Sequence, residues 1–179
     1  MPGGYPGCQP NDKCRIHMIH VTGVRCVLPE SEGFIANKFF TNNIYKMRTL
    51  VSPSDIFLDV GAHMGLASLW ALSSNCRLAV CVEPVASMLA FVERSLRDYI
   101  VHGRACTVPR AVCDEDGKVV QRFVHRGTRT EDRAFFNSMP TNRAHHEQPQ
   151  YALGMKLQTP IDRYRPTVLQ LDAEGSENV

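Results

Sequence analysis

No stretch of the 179 residues approaches the ~20 consecutive apolar positions needed to cross a bilayer, so no membrane partner is expected. An excess of one charge is also missing. The formal net charge is only +2, and Asp and Glu are interleaved with scattered Lys and Arg, which gives no surface for tracking phosphates. A nucleic-acid partner is therefore not expected. The seven cysteines stand singly, without a Cys-x-x-Cys pair, so neither a zinc module nor a regular disulfide framework is expected. Cys14, His17 and His20 have ligand chemistry but lack a partner cluster, and no metal site is assigned to them. Residues 1–11 are rich in Gly and Pro and have no apolar h-region. They are expected to be a disordered lead-in, and the odd cysteine count fits reduced thiols and a cytoplasmic location.

What remains is the composition of an ordinary folded protein, 44% hydrophobic and 21% charged, with a length suited to one compact domain. Residues 16–28 mix β-branched and polar positions before Pro29, which predicts a strand or hairpin within a lead-in of residues 1–30. Residues 34–50 read as helical. The apolar run Ile56-Phe-Leu-Asp-Val60 has the length of a strand covered on both faces. Leu66, Leu69, Trp70 and Leu72 then suit a buried helix face.

A second apolar run, Leu78-Ala-Val-Cys-Val82, ends at Glu83-Pro84. Val85, Leu89, Val92, Leu96 and Ile100 keep helical spacing up to Gly103, and residues 105–109 form a third apolar run. Strand, helix, strand, helix, strand predicts a parallel sheet with crossover helices. Asp114-Glu-Asp-Gly117 signals a turn, and residues 119–124 a hairpin strand. Residues 126–150 are polar and read as a long loop or insertion. Further strands are expected over 151–158 and 167–171.

In open α/β sheets, ligands bind beyond the carboxyl ends of the strands, where strand order reverses. Asp59, Glu83, Arg110-Ala111 and Asp172 all fall at such ends. Gly61 keeps the first turn tight, and Gly65 allows close helix packing. The dinucleotide fingerprint is absent, because Ala62-His63 replaces its middle glycine, and there is no Tyr-x-x-x-Lys pair. A nicotinamide oxidoreductase is disfavoured on both counts. A nucleoside carrying an amino acid tail asks less of the turn: Asp59 suits its ammonium, and Glu83 can accept from both ribose hydroxyls. Taken singly, each feature has a structural reading, Glu83 as a helix-start carboxylate and Asp172 and Glu174 as turn residues. Four strand ends in register make the joint ligand reading stronger.

The segments Phe57-Leu-Asp-Val-Gly-Ala-His-Met-Gly-Leu66, Val82-Glu-Pro84, Ala111-Val-Cys-Asp-Glu-Asp-Gly117, Thr159-Pro-Ile-Asp-Arg-Tyr164 and Leu169-Gln-Leu-Asp-Ala-Glu-Gly-Ser-Glu177 resemble the FkbM family of class I methyltransferases. The resemblance runs from about residue 30 to the end. The first motif is shared by most methyltransferases; the last three are more specific in combination. The resemblance implies an α/β, Rossmann-like sheet with helices on both faces over residues 31–179. It implies S-adenosyl-L-methionine as cofactor and methyl transfer to a hydroxyl of a small-molecule or saccharide-like acceptor.

By position, Asp59, Gly61, Ala62, His63 and Gly65 would line the methionine and ribose region. Glu83 would hold the ribose, and Ala111 with Val112 would lie near the adenine. Asp172, then Glu174, are the candidates for positioning the acceptor or taking its proton. His63 stands where the family often has Asn, and its side chain either contacts ligand or points outward. The sequence ends soon after the expected fourth strand, where the family's sheet continues. The expectation is therefore a truncated sheet of weak stability whose competing reading is a non-catalytic, methyltransferase-like binding module. No oligomeric state follows from the sequence.

Overall fold

A computed structural model describes residues 14–19, 23–29, 32–42, 51–125 and 147–172. Its centre is a four-stranded parallel sheet of β3 (Ile56–Val60), β4 (Leu78–Val82), β5 (Ala105–Val108) and β9 (Val168–Leu171), ordered β5-β4-β3-β9. The chain starts this sheet in the middle, builds outward to β5, then returns to the other side of β3. That reversal is the topological switch point of a Rossmann-like α/β fold.

Period-two alternation divides the sheet residues between two cores. Phe57, Ala79, Cys81 and Ala105 face one layer, made by α1 (Gly33–Asn42), α2 (Leu66–Ser73), α3 (Ala86–Ser95) and strand β2 (Val24–Pro29). Ile56, Leu58, Val60, Val80 and Val82 face the other, where Val112, Met155, Leu157 and Ile161 cover them. Helices lie on both faces as the resemblance implies, because a second layer contains α5 (Gln158–Tyr164). Trp70 of α2 meets Phe40 of α1 edge-on, with ring centroids 4.9 Å apart.

The hairpin expected near the start is present: β1 (Cys14–Ile19) pairs antiparallel with β2. It packs on the main core through fully buried Cys26 and Leu28, and Ser95 Oγ accepts from Val27 N at 2.9 Å. The helix expected over 34–50 is α1, ending at Asn42; residues 43–50 lie outside those described.

Several expectations need correction. The helical stretch after Glu83 is two helices, α3 and α4 (Arg97–Val101), although Leu96 N to Val92 and Ile100 N to Leu96 carry the bonding across the junction. Val85, Val92 and Leu96 are buried as expected, joined by Met88 and Phe91, whereas Leu89 and Ile100 are half-exposed. Gly103 and Arg104 close α4 in a Schellman arrangement, Arg104 N donating to Tyr99 O and Gly103 N to Ile100 O.

The Asp114–Gly117 turn does not make a simple hairpin. Strand β7 (Val119–His125) pairs antiparallel with β8 (Glu147–Met155), and β8 pairs parallel with β6 (Ala111–Val112) on its other side. Residues 147–150, read as loop, are thus strand; residues 126–146 lie outside those described. The expected 151–158 strand holds through Met155, and the chain then turns at Lys156 and Leu157 into α5, whose start is anchored when Asp116 Oδ1 accepts from Lys156 N and Thr159 Oγ1. Strand β9 is only partly buried, since it has a neighbour on one side among the described strands and Leu169 is exposed.

Candidate active site at the carboxyl ends of the strands

Strand β3 ends in a five-residue turn that lies against the end of β4. Gly61 N and Ala62 N both donate to Val82 O, at 2.9 and 3.1 Å, and Gly65 N returns to Ala62 O at 2.7 Å. Two residues of the turn are left-handed besides Gly61: His63, φ 52°, and Gly65, φ 77°. His tolerates this region better than most side chains. A Cβ on Gly65 would approach the methyls of Val92 to 3.2 Å, so the close packing of α2 on α3 depends on its absence.

Glu83 follows β4 and is buried. Its Oε2 accepts from His63 N at 2.8 Å and its Oε1 from Val85 N at 2.8 Å. Val85 is the N-cap of α3. One carboxylate therefore holds the first turn and starts the next helix, which is the structural reading of Glu83.

Asp59 is more deeply placed than a surface ligand residue. It is 0% exposed, and its Oδ2 accepts from Ser68 Oγ at 2.6 Å and Ser68 N at 3.1 Å. Cys81 Sγ in turn donates to Ser68 Oγ at 3.0 Å, so β3, α2 and β4 meet in one short polar chain. Oδ1 of Asp59 has no hydrogen-bond partner. Burial pushes the carboxyl up to about 6, with the nearby Asp172 charge adding to the rise and the Ser68 bonds opposing it.

Asp172 lies just beyond β9, and its backbone N donates to Val60 O at 3.0 Å, which seats it beside the end of β3. It is exposed. Ala111 is buried after β5, and Val112 points into the second core with Val80, Val82 and Met155. Val112 is thus a packing residue in this structure. Asp59, Gly61, Ala62, His63, Gly65, Glu83 and Asp172 come together at one end of β3, β4 and β9. Glu174 lies outside the described residues.

Sequence reading passed over Ser68 and Gln170. Ser68 sits three residues beyond Gly65 among apolar neighbours, and that isolated hydroxyl was the available signal. Gln170 pairs in register with Asp59 across β3 and β9, and its Oε1 is also buried and unpartnered. Among the described residues no group of three or more His, Cys, Asp or Glu side chains could hold a metal. Cys26, Cys76, Cys81, Cys106 and Cys113 are free thiols; burial pushes Cys26 and Cys76 up to about 11 and Cys81 well above its ordinary value. No described helix is long and apolar enough to cross a membrane.

No family model and no curated protein matches the chain. Among solved structures it is similar to P. horikoshii TYW2 in complex with MeSAdo, at 15% identity and TM-score 0.43, over 62% of this chain and 52% of that one. It is also similar to the M. jannaschii tRNA m1G37 methyltransferase, at 11% identity and TM-score 0.38, over 65% and 43%. A third is aTrm5 in complex with tRNALeu, at 11% and 0.38, over 65% and 41%. The chain spans about half the length of these structures, or less. The order β5-β4-β3-β9, reversing at β3, is by itself that of a Rossmann-like sheet.

Proposed function

We propose that this chain carries the cofactor-binding part of an S-adenosyl-L-methionine-dependent methyltransferase of the FkbM type, acting on a hydroxyl of a small-molecule or saccharide-like acceptor. The observation that carries the reading is the meeting of the Asp59–Gly65 turn, Glu83 and Asp172 at the switch point of a β5-β4-β3-β9 sheet. The donors of the cofactor, an ammonium and two ribose hydroxyls, need acceptors, and these strand ends are rich in them. Asp59 lies beneath the turn with a buried, unpartnered Oδ1, its charge attracting an ammonium at the strand ends, and the Glu83 carboxylate already orders the backbone around the ribose position.

When bound, the cofactor supplies an electrophilic methyl on a sulfonium sulfur. The chain's work is then alignment and proton handling. Glu83 fixes the turn through His63 N and offers acceptors to the ribose. Asp172, exposed at the mouth, positions the acceptor hydroxyl and takes its proton, with Glu174 as the second candidate.

A second reading, a non-catalytic module of the same fold, is favoured by one fact. The Asp59 and Glu83 carboxylates already serve the chain's own amides and hydroxyl. Titration calorimetry with S-adenosylhomocysteine separates the two. Saturable binding, weakened by Glu83→Ala, is expected; no saturable heat would support the module. Methyl transfer is then assayed on hydroxylated small molecules, with tRNA as the competing arm. Label entering tRNA alone would overturn the acceptor assignment.

A further inference from the structure

Asp59 and Gln170 face the same layer as register partners on adjacent parallel strands. Asp59 Oδ1 and Gln170 Oε1 are both buried, and neither has a donor. Two neighbouring acceptors with no donor between them repel, and each forgoes a hydrogen bond in a place water does not reach. The other groups around Asp59 do not relieve this. Ser68 of α2 is committed to Oδ2, and Cys81 of β4 donates to Ser68. Asp172 beyond β9 adds a like charge. Glu83 beyond β4 holds the N–H groups of His63 and Val85. His63 in the turn and Arg110 after β5 are the other titratable side chains at the described strand ends.

We infer that Gln170 is a positioning residue for Asp59: in the ligand-free chain the Asp59 carboxyl is protonated at Oδ1 and donates to Gln170 Oε1, and a cationic ligand at the strand ends expels that proton. The proton satisfies both buried oxygens at once, which neither can achieve alone. The raised affinity of Asp59 for a proton, up to about 6, accords with this arrangement. Ligand binding balances as Asp59-COOH plus R-NH3+ giving Asp59-COO⁻ with bound R-NH3+ and one proton released to solvent. Affinity for such a ligand therefore falls as pH drops below the Asp59 titration. This linkage rests on the proposed methyltransferase reading, whereas the protonated Asp59–Gln170 pair does not.

The pair is tested first in the free chain by carbon-13 NMR titration of the Asp59 carboxyl. Titration near pH 6 is expected, dropping below pH 4 in Gln170→Lys, where an ammonium replaces the shared proton. Wild-type titration below pH 4 overturns the inference and means that the Gln170 amide nitrogen, not its oxygen, faces Asp59. The linkage is tested by calorimetry with S-adenosylhomocysteine at pH 5.5 in two buffers of different ionisation enthalpy, repeated at pH 8. Release on the order of one proton is expected at pH 5.5 and none at pH 8. Gln170→Lys should abolish the release, and His63→Asn should retain it whatever its affinity. Binding without release at pH 5.5, or release lost in His63→Asn, overturns the linkage. Absence of any binding defeats the methyltransferase reading and leaves the NMR result to decide the pair.

Discussion

The Glu83 carboxylate accepts the backbone N–H of His63 at 2.8 Å, tying the turn after β3 to the residue that follows β4. The second oxygen of that carboxylate takes Val85 N at the start of α3. Charge-assisted bonds to a buried carboxylate are among the stronger hydrogen bonds in proteins. Glu83→Ala leaves two amides without an acceptor, and we expect a loss of about 2–3 kcal/mol. Urea denaturation measures it; a midpoint unchanged from wild type would show that the tie carries no weight.

Asp59 makes stability depend on pH with an unusual sign. Its folded value is about 6 against an ordinary 3.8, so the folded chain holds a proton that the unfolded chain has already released. This contribution is full below 3.8 and is lost as pH rises through about 6, a difference of about 3 kcal/mol. Measured between pH 4.5 and 7.5, the denaturation midpoint should fall with rising pH, and Asp59→Asn should flatten the slope. Asp55 and Asp114 have lowered values and act only at more acid pH.

Gly65 combines a left-handed backbone with a 3.2 Å approach of its missing Cβ to Val92. Gly65→Ala should cost about 1–3 kcal/mol, through backbone strain and through the shift forced on α3. Adding Val92→Ala relieves the contact but not the φ, so rescue in the double variant should be partial. Full rescue would assign the whole cost to the contact.

Gly154 in β8 is a different case, with no backbone strain. A Cβ there would collide with Cys113 Sγ and press on Lys118 O and Glu115 O at 3.0 and 3.1 Å. Gly154→Ala should destabilise by about 1–3 kcal/mol. Cys113→Ala should recover part of it in a double-mutant cycle, because the carbonyls remain. Additive effects would contradict the collision.

Asp172→Asn keeps the shape and the backbone bond to Val60 but removes the proton acceptor. Turnover is expected to fall at least tenfold with S-adenosylhomocysteine affinity unchanged, read by single-turnover kinetics beside calorimetry. Full turnover would remove Asp172 from the proposed chemistry.

The central sheet was legible because each of its strands carries its own local signal. The runs ending at Val60, Val82 and Val108 are short, apolar and bounded by Gly or Pro, and each formed where its sequence suggested. The β6-β8-β7 sheet was not legible. Its order depends on a strand drawn from beyond a 21-residue stretch, and Glu147-Gln-Pro-Gln150 carries no β signal of its own. At the site, sequence placed Asp59, Glu83 and Asp172 at strand ends but not their depth. That Asp59 is enclosed follows from Ser68, a polar residue whose partner lies nine positions back on another element. Gln170 was silent because its meaning is the register of β9 against β3.

Helix α2 has a consequence for the order in which the chain folds. All of Leu66–Leu72 is buried, so the segment has no solvent face, and its one polar side chain bonds to strands on either side of the chain's first crossover. Such a segment gains little as an isolated helix and nearly everything from its surroundings. It should acquire exchange-protected amides together with β3 and β4 rather than ahead of them, as one cooperative unit.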